Sequence, residues 1–168
     1  MHVMATLNRD PRSGERGQAI VELALTLPLL LLVVLGVFDF GLMFERFEVV
    51  TNAAREGARM GVLPDYTPAQ AQTHAGNYLT FGGVPASPIV QGGGCPATGG
   101  LTPGRGCVTV TEDTITLSTS PTKTVKVMVS TVSYDHQHVF VGPIAQLFGG
   151  SFGTTRLRAV STMRKEAS

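Results

Sequence analysis

The sequence predicts an α+β protein in which a long N-terminal transmembrane helix continues into a small antiparallel-sheet domain outside the cytoplasm. Three observations predict it: an apolar run near the N-terminus, a helical repeat of small and apolar residues directly after it, and a period-two pattern in the last third of the chain. Charged residues make up only 15% of the chain, against roughly 25% in an average soluble protein. A soluble cytoplasmic enzyme is therefore a poor expectation.

The net charge of +1 and the two cysteines limit the classes of partner further. A nearly neutral chain has no long-range field that attracts a polyanion, so we expect no nucleic-acid partner. Two cysteines are too few for a four-cysteine zinc site or a disulfide scaffold. Because the chain contains neither a G-x-G-x-x-G motif nor a P-loop, we also expect no cofactor and no small-molecule substrate.

The apolar run from Ala19 to Phe44 is the predicted membrane span. Its ionisable residues are Glu22 and Asp39, and none lies between them. A spanning helix requires roughly 20 apolar residues, and the run meets that length, so we assign residues 18–44 to a transmembrane helix. A cleaved secretory signal is the main alternative, but its apolar core is shorter and ends at a small-residue cleavage site, which this run lacks.

Arginines around the apolar run predict its orientation. Arg9, Arg12 and Arg16 precede it, and the next basic residue along the chain is Arg46. Basic residues near a span are retained on the cytoplasmic side, so residues 1–17 are expected in the cytoplasm and the bulk of the chain outside it. The chain is thus predicted to be a single-pass protein of the cell membrane.

The helix is expected to continue beyond the membrane over residues 45–63. Small and apolar residues recur there at helical spacing, with charged residues mostly between them. This apolar stripe needs a partner, which is either the C-terminal domain or a neighbouring copy of the chain. Pro64 marks the end of the helix, and Pro28 predicts a kink or local melting in the membrane because it removes a backbone donor.

Glu22 is the residue of the span that most requires an explanation. A carboxylate in the apolar core of a membrane costs roughly 2.5–3.5 kcal/mol, so such residues usually face a partner or a polar cavity. In one interpretation, Glu22 lies near the cytoplasmic interface, reaches water and has no further role. The other interpretation follows from the residues around it.

The segment from Arg16 to Glu22, RGQAIVE, resembles the processing site of type IV prepilins. In those proteins a membrane peptidase cuts after the glycine, and a glutamate is the fifth residue of the mature chain. The resemblance implies cleavage between Gly17 and Gln18, which removes residues 1–17 as a leader and leaves a cationic α-amine on Gln18. A glutamate of a neighbouring subunit, or of the same chain one turn along, would pair with that amine.

A longer stretch, GQAIVELALTLPLLLLVVLGVFDFG followed by TNAAREGAR, resembles the N-terminal signature of TadE-like proteins. These are minor pilins or pseudopilins of tight-adherence (Tad) pilus systems, and the C-terminal TTRLRAVSTMRKE is similar to their closing strand. The resemblance implies a pilin-like fold. It also implies four kinds of partner: the membrane, a prepilin peptidase, other pilin or pseudopilin subunits, and the inner-membrane assembly platform. Leu23 differs from the aromatic residue that commonly follows the glutamate.

Asp39 lies near the outer end of the predicted span, between Phe38 and Phe40. On physical grounds, an acid at the interface between two phenylalanines marks a membrane depth and has no further role. The resemblance instead implies that an acid at this position packs helices or docks a partner. Both interpretations remain open at this point.

The domain after the helix, residues 64–168, is predicted to begin with a short helix and a flexible loop. Pro68–Phe81 forms the helix in this prediction, and the Gly/Pro-rich residues 82–106 form the loop. Cys95 and Cys107 are spaced to close a small ring, and a disulfide is chemically allowed outside the cytoplasm; two free thiols are the alternative. A redox or metal pair would normally have C-x-x-C spacing.

In the last third of the chain, apolar and β-branched residues alternate with polar ones, which predicts antiparallel hairpins. Turn signals lie at 112–113 and 120–123. The strand that ends near Tyr134 is apolar or β-branched on both faces and is expected to be central. A short helix over 142–149 and a final strand over 154–163 complete the predicted domain.

Asp135, His136 and His138 form the one cluster of metal-ligand side chains. In a strand the two histidines share a face and the aspartate points away from them. Two ligands do not complete a zinc site, so we predict exposed histidines at a strand end and no metal. Ser133 beside Asp135 and His136 invites a hydrolase interpretation, but no nucleophile elbow is present, and we predict no catalytic site.

The sequence therefore favours a non-enzymatic, membrane-anchored minor pilin or pseudopilin. It would take part in assembly of a tight-adherence (Flp-type) pilus that mediates surface attachment or secretion. The alternative is an unprocessed single-span membrane-anchored binding module whose domain lies outside the cytoplasm. A membrane-tethered hydrolase or metalloprotein that uses Ser133, His136 and His138 is a third hypothesis.

Overall fold

The computed structural model describes residues 12–84, 90–91, 95, 104–147, 149–150 and 153–165. Within these ranges, one long helix is followed by two shorter helices and a four-stranded sheet. We call the part after the long helix the head domain. The predicted α+β fold class is confirmed. Residues 1–11 of the predicted leader and most of the predicted loop 82–106 lie outside the described residues.

Helix α1 spans Arg12–Gly61 and has 50 residues, which corresponds to about 75 Å at the usual rise of an α-helix. It begins before Gln18, because none of the residues between Arg12 and the apolar run is a proline that would stop it. It ends shortly before Pro64, as predicted. The continuation of the helix beyond the apolar run is thereby confirmed.

Helix α2 spans Pro68–Phe81, which confirms the prediction. Its N-terminus is closed by a capping box, in which the Thr67 hydroxyl accepts the N–H of Gln70 and the Gln70 side chain accepts the N–H of Thr67. After the helix, Gly83 adopts a φ of +68° and turns the chain away from the helix axis. Glycine adopts this conformation without strain.

The sheet of the head domain has the strand order β1-β2-β3-β4. The elements are β1 (Val90–Gln91), β2 (Gly106–Thr119), β3 (Thr122–Gln137) and β4 (Thr154–Arg164), with helix α3 (Val141–Leu147) between β3 and β4. Strand β3 pairs antiparallel with both β2 and β4 and is central, as predicted. Strand β1 pairs parallel with β2. No sequence pattern predicts β1, because two residues in a glycine-rich loop are too few to establish a period.

The turn predicted at Glu112–Asp113 is wrong, because β2 runs through both residues without interruption. Glu112 lies opposite Met128 of β3. Its carboxylate pairs with Lys126 at 2.9 Å and with Lys165 at 3.0 Å. Neighbouring strand residues thus accommodate the acidic side chain. An acidic pair alone does not distinguish a turn from the solvent-facing part of a long strand.

The hydrophobic core lies between α1, α2 and one face of the sheet. The small size of several helical core residues lets the two helices approach the sheet closely. The most deeply buried residues of the core are Val50, Ala53, Ala54, Ala71, Ala75, Leu79, Val108, Met128 and Val132.

Two glycines of α1 lie in close contact with the head domain. A Cβ atom at Gly57 would lie 2.5 Å from Ser130 Oγ and 3.0 Å from Ala75 Cβ, and one at Gly61 would lie 3.0 Å from Met128 Cε. The apolar stripe after the span is therefore covered by the head domain of the same chain. This part of α1 does not need a neighbouring copy.

Candidate assembly helix and its junction with the head domain

The N-terminal part of α1 projects from the head domain as an apolar helix. We call residues 17–38 the free segment. No side chain in it is buried, and all are exposed except the half-buried Leu35 and Gly36. Leu25 and Leu30, for example, are 75% and 68% exposed. Since each Å² of apolar surface left in water costs roughly 25 cal/mol, the free segment requires lipid or another protein around it.

The residues of the predicted processing site lie in the first turns of the free segment. Gly17, Gln18 and Glu22 are all helical and exposed. Gln18 and Glu22 lie on one face of the helix, one turn apart. Cleavage after Gly17 and the pairing of Glu22 with the resulting amine stay predictions.

The helix itself satisfies the one hydroxyl of the free segment. The Thr26 hydroxyl donates to the carbonyl of Glu22 at 2.9 Å, so this donor is not left unpaired in an apolar environment. The helix continues through Pro28, so the local melting that was one expectation there is absent, and the kink that was the alternative stays a prediction. Pro28 removes the N–H that would otherwise bond to the carbonyl of Ala24.

Asp39 follows the free segment and is buried by the head domain, with an exposed fraction of 1%. Its carboxylate accepts hydrogen bonds from three consecutive backbone N–H groups, those of Val139 at 3.0 Å, Phe140 at 3.0 Å and Val141 at 2.6 Å. These groups lie at the start of α3, where N–H groups have no partner inside the helix. The carboxylate also lies at the positive end of the α3 dipole. Asp39 therefore ties α1 to the head domain.

Asp39 therefore has a structural role, and the interpretation in which it only marks a depth in the membrane is too narrow. In the structure Asp39 binds the segment that leads into α3 of the same chain, and the docking of a partner that the resemblance implies stays a prediction. Sequence reasoning could not identify the partner, because backbone N–H groups have no residue signature and Val139 is 100 positions away. The only indication in the sequence was an acidic residue in an apolar helix, because a buried charge requires a partner.

Arg46 forms a second charged contact between α1 and the head domain, and the sequence analysis missed it. Its Nη1 donates to the carbonyl oxygens of Gly82, at 3.1 Å, and of Gly83. These carbonyls follow the C-terminus of α2, where the helix dipole favours a cation. Arg46 is two turns after Asp39 and projects from the same face of α1. The charged residues after the span were expected on a solvated face away from the apolar stripe, which is why this contact was not predicted.

The aromatic side chains near the end of β3 form a row on the sheet face that packs against α1. The ring centroids of Tyr134 and His136 are 6.4 Å apart, and those of His136 and His138 are 5.2 Å apart. His138 also lies 2.8 Å from the Thr155 hydroxyl through Nε2. The prediction of exposed histidines is wrong, since His136 is 5% exposed and His138 half-buried. The strand continues underneath α1 instead of ending in solvent.

Burial lowers the pKa of His136 below its ordinary value. The nearby His138 and Arg46 act in the same direction, whereas the carboxylate of Asp39 opposes them. The fold therefore favours the neutral imidazole at this position. The Nε2 atom of His136 is buried and, within the part of the chain that the structure describes, has no hydrogen-bond partner.

The hydrolase hypothesis fails on strand geometry. Ser133 and His136 are three residues apart in β3, so their side chains lie on opposite faces of the sheet. Asp135 does point away from the histidines, as predicted, and Arg156 holds its carboxylate through two contacts of 2.7 and 2.9 Å. A serine that cannot reach a histidine is not activated as a nucleophile. Among the described residues, no group of three or more His, Cys, Asp or Glu side chains could hold a metal ion.

The sheet face opposite α1 bears the disulfide. Cys95 and Cys107 are bonded, with their Cα atoms 5.6 Å apart. Cys107 lies opposite the buried Ser133 in the β2–β3 register. The backbone N–H of Cys95 donates to the Thr109 hydroxyl at 3.1 Å. The bond thus fixes one point of the predicted loop 82–106 against the sheet.

The helix and the junction together define a class of protein: a small α+β domain docked on an N-terminal helix that is long and apolar enough to cross a membrane. Among the described residues one helix has this property, within Gly17–Gly61. Residues 17–59 match the model of the TadE-like protein family. The matched region contains the free segment, Asp39, Arg46 and Gly57.

The resemblance to the TadE-like family is therefore confirmed over the N-terminal helix, and it connects the chain with the Tad pilus system. This pilus-associated family is not known for enzymatic activity. The helix agrees with a single-pass membrane anchor. No curated protein and no solved structure gives a significant match.

Proposed function

We propose that the chain is a non-enzymatic minor pilin or pseudopilin that takes part in the assembly of a tight-adherence (Flp-type) pilus for surface attachment or secretion. The observation that carries this proposal is the free segment, an apolar helix to which the head domain of the same chain offers no cover. Lipid surrounds this helix before assembly, and the helices of neighbouring subunits surround it afterwards. The family match over the same residues supports this function.

In this proposal the N-terminus lies in the cytoplasm and the head domain outside it. A prepilin peptidase cuts between Gly17 and Gln18, and the new α-amine of Gln18 pairs with Glu22 of a neighbouring subunit. The exposed position of Glu22 on the free segment supports such a contact. In a medium of low dielectric constant, the pair replaces two costly isolated charges and fixes the stagger of adjacent helices.

Cleavage at this position requires a short stretch of helix to open, because α1 already includes Gly17. The stretch lies close to the N-terminus of the helix at Arg12, where the first N–H groups have no helical partner. Glycine also lowers the stability of a helix at its own position. Both features favour local opening at the scissile bond without loss of the remainder of α1.

The proposed partners are the membrane, the prepilin peptidase, other pilin or pseudopilin subunits and the inner-membrane assembly platform. The proposal includes no nucleic acid, no cofactor and no small-molecule substrate. The head domain, held against α1 by Asp39 and Arg46, is the part that faces outward.

Replacement of Glu22 tests the assembly role. We expect Glu22→Gln to insert into the membrane normally but to lose incorporation into pili, since the glutamine has no charge to pair with the amine of Gln18. Glu48→Gln is the matched control, because Glu48 is an exposed acid on the same helix beyond the free segment. Quantification of the protein in sheared pilus fractions and in membranes gives both readouts. Wild-type incorporation of the Glu22→Gln protein contradicts the pairing mechanism.

An unprocessed membrane-anchored binding module is the second candidate, and one observation favours it. The apolar stripe around Gly57 and Gly61 packs on the head domain of the same chain, as a module that never polymerises would require. In that case lipid alone surrounds the free segment, without helices of neighbouring subunits. The module predicts that Glu22→Gln has no effect on any function, so the same experiment distinguishes the two candidates.

A further inference from the structure

We propose that residues 139–144 of the head domain insert into the outer boundary of the membrane beside Asp39, as a second membrane contact next to the transmembrane helix. We call these residues the foot. Their exposed apolar surface contacts the membrane at the boundary between the lipid headgroups and the acyl chains. The inference rests on the membrane anchorage in the proposed function.

The depth of Asp39 follows from the surface of α1. Lipid-facing apolar side chains continue beyond it, with Phe40 55% and Phe44 62% exposed. The first exposed charged residue after the free segment is Glu45. Residues 23–44 span about 33 Å as a helix, which matches a hydrocarbon layer of about 30 Å. Asp39 then lies about 9 Å inside the level of Glu45, on the membrane side.

The foot lies at the level of Asp39, because its backbone N–H groups bond directly to that carboxylate. Val139 and Phe140 are 56% and 38% exposed, and Pro143 is also exposed. The sequence contains no Asp, Glu, Lys or Arg between Asp135 and Arg156. Exposed apolar side chains in a stretch of chain that itself has no charged residue, held at the depth of the acyl boundary, are suited to contact lipid.

The Asp39 contact makes this insertion energetically reasonable. In lipid, an unpaired carboxylate and unpaired backbone N–H groups are both costly, because no water is present to hydrogen-bond them. Here the carboxylate accepts the N–H groups of Val139, Phe140 and Val141, the last of which is the first residue of α3, and those groups in turn satisfy the carboxylate. Neither partner needs water, so the junction tolerates the depth that its position on α1 requires.

Lipid is favoured over a second copy of the chain because the foot continues the lipid-facing surface of α1. The foot bonds to Asp39, and the two residues that flank Asp39 in α1, Phe38 and Phe40, are exposed. The proposed anchorage already places these two side chains against lipid. Interfacial protein segments bury their apolar face by roughly 5–10 Å, which agrees with the depth derived for Asp39.

Single tryptophans test the insertion, since the natural chain contains none. Phe140→Trp and Val139→Trp report on the foot, and Phe38→Trp reports on the transmembrane helix. Leu117→Trp is the control, because Leu117 is 66% exposed on β2 and lies toward the far end of the β2–β3 hairpin. The full-length proteins are placed at low density in phosphatidylcholine vesicles with or without bromine on the acyl chains.

We expect bromine to reduce the emission of the tryptophans at 38, 139 and 140 and to leave that at 117 unchanged. The inference is overturned if 38 is quenched while 139 and 140 behave like 117. It is also overturned if emission at 139 and 140 changes only as the protein density rises, because a second copy then covers the foot. Absence of quenching at all four positions overturns the membrane anchorage itself, and the proposed function with it.

Discussion

At the scale of single residues, the junction depends on two side chains of opposite charge on one face of α1. Asp39 binds the N–H groups at the start of α3, and Arg46 binds the carbonyls after α2. Each charge lies at the helix end whose dipole it complements. These two charged contacts thus join α1 to backbone groups of the head domain, in addition to the side-chain packing of the core.

Replacement of Asp39 by asparagine tests this junction. The asparagine retains one acceptor oxygen, but its amide donors face the N–H groups of residues 139–141. We expect the unfolding free energy of the head domain to fall by about 2 kcal/mol, the loss typical of a hydrogen bond to a charged group. Amide hydrogen exchange of residues 139–141 in detergent-solubilised protein should accelerate. Asp65→Asn is the control, since Asp65 is exposed; equal exchange in both variants contradicts the role of Asp39.

His136 predicts a pH dependence of stability. Because burial lowers its pKa in the folded state, the unfolded chain takes up a proton at higher pH than the folded chain does. The stability contribution is complete above the ordinary value of 6.5 and is lost as the pH falls below it. Thermal unfolding between pH 7.5 and 5 should therefore show a falling transition temperature.

The non-titrating His136→Phe protein should show a flatter dependence over the same range, while the exposed His74→Gln control retains the wild-type slope. An unchanged slope in His136→Phe would show that another group is responsible.

At the scale of secondary-structure elements, the docking of α1 depends on its glycines. Gly57→Ala places a methyl group 2.5 Å from Ser130 Oγ. We expect the free energy of unfolding to fall, because overpacking costs about 1–3 kcal/mol. This cost outweighs the gain of up to roughly 1 kcal/mol that alanine gives over glycine inside a helix. Chemical unfolding of the detergent-solubilised protein measures this difference.

Two variants sharpen this measurement. Gly41→Ala is the matched control, because its Cβ would meet nothing within 4 Å, and it should be neutral or stabilising. Adding Ser130→Ala to Gly57→Ala should recover part of the loss, since the Ser130 hydroxyl is buried and has no hydrogen-bond partner among the described residues. A Gly57→Ala protein as stable as the Gly41→Ala protein would contradict the close approach of α1 to β3 at this position.

The same scale shows how far the sequence predicts the fold. The transmembrane part of α1 is predicted from the length of its apolar run, and its continuation from the helical spacing of small and apolar residues. The central strand is predicted from apolar or β-branched residues on both of its faces. Glu112–Asp113 was misassigned because acidic residues occur both in turns and on the solvent side of strands. His136 was misplaced because its burial depends on α1, which is distant in sequence. The contacts of Asp39 and Arg46 involve backbone groups, which no residue pattern reveals.

At the scale of the whole molecule, α1 has two parts with different partners. Its C-terminal half is covered by the head domain, whereas the described residues of the head domain leave nearly all of the free segment exposed. The division falls at Asp39, where the head domain begins to cover α1. A subunit built in this way can exchange lipid for other subunits along the free segment while its head domain stays intact. This is the arrangement that the proposed pilus role requires.

The processing of the N-terminus distinguishes a pilin or pseudopilin from an unprocessed membrane anchor. The intact mass and N-terminal sequence of the membrane-extracted protein are measured from cells with and without a prepilin peptidase. We expect a mature chain that starts at Gln18 only when the peptidase is present, and a chain that retains residues 1–17 when it is absent. A chain that retains the leader in both strains contradicts the proposed pilin function and indicates an unprocessed membrane anchor instead.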